Sequence, residues 1–213
     1  MFNQEAYEKI KIEIPSDVKI LAATKTKSVE EIIEAVNSGI RIIGENYVQE
    51  AEEKYEKLKD LFKEKEISFH LIGHLQSKKA KRAIKIFDCI ETIDSIKLAE
   101  KINDICRELN KKISVMIEIN FNEIQKSGIQ IPEISLLTNK IKNLQNINLI
   151  GLMCLPPIGK EEECFKKMKE LKNEYKLKEL SMGMSSDYKQ AINNGSTIIR
   201  LGTILFGKRF LYS

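Results

Sequence analysis

Apolar runs of strand length recur along the chain at 20–24, 40–44, 69–73, 89–93, 115–119, 149–153, 180–184 and 197–201. Between them the apolar positions change to helical spacing, over 29–36, 47–62, 79–86, 96–109, 134–141, 163–175 and 188–193. The strands are nearly continuous apolar runs rather than alternating ones, which is what a parallel sheet covered on both faces requires. Eight strands alternating with helices close a barrel. With 213 residues the chain lies near the short end of the range for a (β/α)8 fold, roughly 200 to 400 residues. The expectation is therefore one α/β domain over 1–213, a compact TIM barrel with short loops. No internal repeat is visible.

Local signals sharpen the boundaries. Ser28 followed by Glu31 forms a capping box that starts the first helix after a strand, and Gly39 after Asn37-Ser38 ends it. Pro132 suits a first helical turn, and Pro156-Pro157 forces the sixth strand to end before them. The opening segment 1–17 alternates charge with isolated apolar residues and predicts no export signal. The run 52–66, with Glu and Lys at i, i+4 spacing, reads as a solvated helix face.

Composition narrows the function classes. Hydrophobic residues make up 42% of the chain, enough for a full core, and 35 basic against 31 acidic residues leave a net charge of +4. That is a mixed surface, compatible with anionic ligands. The best basic cluster, Lys78, Lys79, Lys81, Arg82 and Lys85, has no interleaved aromatic residues and does not predict nucleic-acid binding. No run of 18 apolar residues occurs, so no membrane partner is expected. Cys89, Cys106, Cys154 and Cys164 are widely spaced without a Cys-x-x-Cys pair, which predicts reduced core thiols in a cytoplasmic protein and no metal site. His70 and His74 share one strand face but have no third ligand nearby in sequence. No Gly-x-Gly-x-x-Gly, Gly-x-Ser-x-Gly or P-loop pattern appears, which removes the usual dinucleotide, hydrolase and kinase readings.

In such a barrel the site lies at the C-terminal ends of the strands. Lys25, Asn46, His74, Asn120, Met153, Ser185 and Arg200 qualify by position. Lys25 closes the first apolar run, where a desolvated amine loses proton affinity and becomes a nucleophile toward aldehydes. Lys27 shares its parity, but Ser28 as helix N-cap places Lys27 on the exposed turn and favours Lys25. His70 reads as a hydrogen-bonded core residue. Ser185-Ser186 precedes a helix start, and Gly202-Thr203 follows the last strand, the two loops where barrels commonly hold phosphate. Arg200, Gly202 and Thr203 suit a ring nitrogen and a phosphate. Aldehyde, phosphate and ring nitrogen together describe pyridoxal 5′-phosphate.

The motifs Ala22-Ala23-Thr24-Lys25-Thr26-Lys27, Gly44-Glu45-Asn46-Tyr47-Val48-Gln49-Glu50, Phe69-His70-Leu71-Ile72-Gly73-His74-Leu75-Gln76, Lys126-Ser127-Gly128, Gly151-Leu152-Met153, Met182-Gly183-Met184-Ser185-Ser186-Asp187 and Arg200-Leu201-Gly202-Thr203 together resemble the pyridoxal phosphate homeostasis proteins. The resemblance spans nearly the whole chain in order. It implies a single barrel like the alanine racemase N-terminal domain, with the cofactor held as a Schiff base on Lys25. It also implies Asn46 facing the cofactor, Met153 lining the ring pocket, Arg200 at the ring nitrogen, and Ser185, Gly202 and Thr203 at the phosphate. Thr24 stands where serine is usual in the family, Ser28 where proline is usual, and Lys78 where asparagine often follows Gln-Ser. The reading that results is a monomeric, cytoplasmic protein that buffers pyridoxal phosphate or delivers it to apo-enzymes, with no catalytic residue. A pyridoxal-phosphate-dependent amino-acid racemase and a phosphosugar isomerase barrel are the alternatives.

Overall fold

The computed structural model describes residues 1–121, 123 and 127–207. Lys126 of the Lys126-Ser127-Gly128 motif lies outside the described residues. Eight parallel strands, β1 (Lys19–Ala23), β2 (Ile42–Glu45), β3 (Ser68–Leu71), β4 (Cys89–Ile93), β5 (Ile113–Ile119), β6 (Ile147–Cys154), β7 (Glu179–Ser181) and β8 (Ile198–Leu201), pair in sequence order. The barrel closes where β1 lies against β8, with Ala22 opposite Leu201. The helices that follow the strands are α2 (Val29–Asn37), α3 (Val48–Glu64), α4 (Ala80–Ile86), α5 (Ile96–Glu108), α6 (Ile134–Lys142), α7 (Glu161–Tyr175), α8 (Tyr188–Asn193) and the four-residue α9 (Thr203–Phe206). A further helix, α1 (Gln4–Glu13), precedes the barrel.

Period-two alternation sorts each strand's side chains into two cores. One face of each strand packs outward against the helices, while Leu21, Ile42, Ile72, Cys89, Met116, Met153 and Ile198 pack together inside the barrel. Side chains of the same interior parity, Ser68, His70, Glu91, Ser181 and Arg200, give this interior a polar track as well as an apolar one.

The capping box forms as its spacing predicts: Ser28 Oγ accepts from Glu31 N, and the Glu31 carboxylate accepts from Ser28 N at 3.0 Å. Where strand ends differ from the pattern, a local cause is visible. Ile40, expected in β2, instead ends α2, its N–H bonded to the Ala35 carbonyl, while Arg41 caps the Val36 and Ile40 carbonyls. β3 ends at Leu71, and the chain beyond it passes the Asn46 carbonyl at Gly73, where a Cβ would lie 2.2 Å from that oxygen. β7 stops before Gly183, which turns at φ +93° with no room for a Cβ against Ala191.

The first segment holds a helix that the spacing of apolar positions leaves unmarked. Residues 4–13 form α1, with Asn3 as N-cap and Tyr7 and Ile10 buried one turn apart. Asn3 N donates to the Leu205 carbonyl at 2.7 Å and Phe2 packs edge-on against Phe206, so this helix lies beside α9 and supplements the short cover that follows β8. The solvated face expected over 52–66 also has an exception: Lys54 is buried, turned toward the barrel. The four cysteines are buried and carry free thiols. No helix among the described residues is long and apolar enough to cross a membrane.

Candidate functional site

Lys25 sits just past the C-terminal end of β1, in a tight turn closed by Lys27 N donating to the Thr24 carbonyl at 2.9 Å. Its amine donates to Tyr47 Oη at 3.0 Å and lies 4.5 Å from the centre of the Tyr47 ring. Lys25 is half-buried, not sealed in the apolar environment that its strand suggested. Lys27 is turned elsewhere, as expected, but for a different reason. It is not on an exposed turn; its side chain is 13% exposed and donates to the Phe206 carbonyl at 3.2 Å. The lysine that faces the mouth is thus Lys25.

Arg200, on the inner face of β8, is 4% exposed. Its Nη1 donates to Ser181 Oγ at 2.9 Å and its Nη2 to the Cys154 carbonyl at 2.8 Å. Ser181 Oγ in turn donates to Glu91 Oε2 at 2.5 Å, and Glu91 Oε1 meets His70 Nδ1 at 2.6 Å. His70 Nε2 meets Ser68 Oγ at 2.9 Å, completing a chain that runs down the barrel interior. A buried guanidinium without a counter-charge would be costly, so Glu91 balances Arg200 through Ser181 while the bonds fix its plane. These two bonds use two of the five guanidinium N–H groups, and among the described residues nothing accepts from the Nε–H, whose direction they fix. His70 is the bonded core residue its position predicts. Glu91 and Ser181 were hidden in apolar runs; only their shared interior parity with Arg200 signals them.

The β7 and β8 loops meet beside Lys25. Ile204 N donates to Ser185 Oγ at 3.3 Å, bringing Ser185 to the start of α9, which Gly202 caps. A Cβ on Gly202 would lie 3.6 Å from the Ala23 carbonyl oxygen, two residues before Lys25. Thr203 is exposed at the same turn. A hydroxyl from one loop and backbone N–H groups from the other suit an oxyanion.

Asn46 follows β2 and is half-buried, its carbonyl covered by Gly73. Met153 is fully buried, in the floor beneath the mouth, between Glu118 and Ser181 in register. His74 is half-exposed and pairs with Asp94, Nδ1 to Oδ2 at 3.1 Å. Asn120 turns back on its own loop, donating to the Glu123 carbonyl. Among the described residues no three His, Cys, Asp or Glu side chains converge as metal ligands would. Clefts of about 440 and 400 Å³ lie at the opposite, N-terminal end of the barrel, lined in part by Lys19 and Arg41. Ser68 and His70, at the far end of the chain from Arg200, line the second of them, whereas Lys25, Asn46, Met153, Ser185, Arg200, Gly202 and Thr203 line neither.

Glu118 is buried on β5, with Oε1 accepting from Ser127 Oγ at 3.0 Å and Oε2 unpartnered among the described residues. Burial pushes its carboxyl above the usual range. A carboxyl raised on folding takes up a proton, so its contribution is fullest below the unfolded value of about 4.3 and is lost as pH climbs through the folded one. Glu118→Gln, which cannot ionise, should therefore be more stable than the native chain at neutral pH, by on the order of 1 kcal/mol. The gain should vanish near pH 4. Melting curves across this window check it, and a pH-independent difference would contradict it.

The alanine racemase N-terminal domain family matches residues 4–209. A pyridoxal phosphate homeostasis protein of Synechocystis is 37% identical over 98% of this chain and 100% of that protein. One from Pasteurella multocida is 40% identical over 91% and 88%. Among solved structures, PipY of Synechococcus elongatus with pyridoxal phosphate bound is 33% identical with a TM-score of 0.88, covering 96% of this chain and 99% of that one. An alanine racemase of Clostridium difficile has a TM-score of 0.76 at 18% identity, covering 97% of this chain and 60% of the racemase, a likeness of fold alone.

Proposed function

This chain belongs to the pyridoxal phosphate homeostasis proteins, within the alanine racemase N-terminal domain family, and we propose that it binds pyridoxal 5′-phosphate at the barrel mouth and buffers or delivers it without turnover. The observation that supports this reading is the donor set: an amine at Lys25, a pinned guanidinium at Arg200 with its Nε–H unengaged among the described residues, and a hydroxyl with backbone N–H groups at Ser185, Gly202 and Thr203. When bound, the cofactor supplies an aldehyde that bonds reversibly to amines, and an electron-accepting ring.

Each residue then has a task. Lys25 Nζ is the amine that would hold the cofactor through its aldehyde and exchange it for another amine. Tyr47 Oη, already 3.0 Å from that nitrogen, holds it in place and accepts its proton's hydrogen bond. Asn46, at the end of β2, and Met153, in the floor of the mouth, would line the pocket for the ring. Arg200 would hold the ring nitrogen through its Nε–H, and a permanent cation donating there would leave that nitrogen unprotonated and poor at stabilising a carbanion. The Ser181–Glu91 chain prevents Arg200 from turning away.

The racemase reading needs a group that removes a proton on one face and another that returns it on the opposite face. Lys25 and Tyr47 stand together on one side of the mouth. We therefore expect no sustained racemisation or transamination, and no catalytic residue. Alanine incubated with the protein and pyridoxal phosphate in deuterium oxide, followed by chiral analysis, tests this: turnover of about 1 s⁻¹ or more, as enzymes show, would replace the homeostasis reading with the racemase. Apo-enzymes are the receivers we propose, and loss of the protein should disturb free pyridoxal phosphate and amino-acid pools. The cytoplasm, where those apo-enzymes fold, is the proposed location. A monomer is the oligomeric state we propose.

A further inference from the structure

The turn that carries Lys25 is held from both sides by one helix. Lys54, in the second turn of α3 and 8% exposed, donates from Nζ to the Thr24 carbonyl at 2.7 Å. The same ammonium reaches Glu45 Oε1 at 2.6 Å and Glu50 Oε1 at 2.7 Å. Thr24 Oγ1 donates to Glu45 Oε1 at 2.6 Å, and Thr26 N donates to Glu50 Oε1 at 2.6 Å. Lys25 thus lies between two residues that each bond this three-member charge cluster. Thr26 has φ +65°, a left-handed conformation that a β-branched residue does not adopt unaided, and its N–H is the one that Glu50 takes. Tyr47, the residue before α3, meets the Lys25 amine itself.

We propose that Lys54, with Glu45 and Glu50, is a positioning residue for Lys25: it fixes the turn so that the amine is delivered to the aldehyde in one orientation. The cluster touches no part of the mouth that would hold the phosphate or the ring nitrogen. General surface stability does not require such a cluster. Glu45 is fully buried and its Oε2 lacks a partner among the described residues. Desolvating two carboxylates and an ammonium is costly, and an apolar group could have filled the space more cheaply. What the charges accomplish here is directional: a single cation orders the carbonyl before Lys25, and a single carboxylate orders the N–H after it.

The inference rests on Lys25 being the residue that bonds the cofactor, and the test separates the two. The charge-neutral double variant Lys54→Met/Glu45→Gln and the single variant Glu50→Ala are each titrated with pyridoxal 5′-phosphate, read by visible absorbance. Each is also titrated with pyridoxine 5′-phosphate, which has the phosphate and ring but no aldehyde. Misplacing a nucleophile by about 1 Å costs up to about 100-fold. The expected result is a loss of about tenfold or more in the rate of covalent bond formation, with pyridoxine phosphate affinity within about twofold of the native chain. Equal losses for both ligands, or none for either, would overturn the proposal. Should the double variant fail to fold, Glu50→Ala decides alone, since Glu50 is partly exposed on the helix surface. A native protein without a visible band would instead remove the premise about Lys25.

Discussion

Lys25→Ala is expected to abolish the visible band and any borohydride-trapped adduct, while melting within about 1 kcal/mol of the native protein. The loss is complete because only an amine forms this bond, and the mouth presents Lys25. The fold survives because, among the described residues, the Lys25 amine bonds the exposed Tyr47 and no core group. The turn itself is fixed by Thr24 and Thr26, whose bonds to Lys54, Glu45 and Glu50 the substitution leaves in place. Lys27 is the rival nucleophile, and it is engaged: its amine lies on the Phe206 carbonyl and 4.0 Å from Glu31. Peptide mapping after borohydride reduction distinguishes them, and an adduct found on Lys27 would refute the assignment.

Much of this architecture is legible in sequence because its barrel strands are buried on both sides. Continuous apolar runs then mark each strand, as at Cys89–Ile93, where pattern and structure coincide. The ends are less legible, since they depend on tertiary contacts such as Gly73 against the Asn46 carbonyl. α1 escapes the pattern because its buried stripe is thin, Tyr7 and Ile10 with Phe2 just outside the helix, among charged neighbours. The residues that end a strand and carry distinctive chemistry, Lys25 and Arg200, are visible from position alone. Those that hold them are not. Lys54 is camouflaged by a Glu/Lys-rich helix in which most charges are solvated, and Glu91 by the apolar run around it. A single inward-facing charge in such a setting becomes recognisable only when its partners, distant in sequence, are placed beside it.

The basic cluster illustrates the same limit from the other direction. Arg82 forks onto Glu52, and Lys81 pairs with Glu108 at 3.2 Å, so adjacent helices supply acidic partners that the linear run conceals. These positions therefore form part of the mixed outer surface, consistent with the net charge of +4.

Pyridoxal should bind far more weakly than its 5′-phosphate. The two loops that meet at Ser185 and Gly202-Thr203 offer a hydroxyl and backbone N–H groups to an anion, and hydrogen bonds to a charged group are worth about 1.5 to 3 kcal/mol each. Losing two of them corresponds to roughly 10²- to 10⁴-fold in affinity. The covalent bond to Lys25 does not compensate, because pyridoxal's aldehyde also closes on its own 5′-hydroxyl as a hemiacetal. Pyridoxine against pyridoxine 5′-phosphate, neither with an aldehyde, therefore isolates the phosphate, as Lys25→Ala isolates the aldehyde. Equilibrium dialysis of the native protein against each ligand measures the ratio directly, and equal binding would eliminate the phosphate site. A ratio that collapses in Ser185→Ala while the visible band with pyridoxal phosphate persists would locate the anion between the β7 and β8 loops. The two halves of the site would then be separable: one loop pair retains the ligand by its charge, and the turn after β1 engages or releases it by exchange of amines.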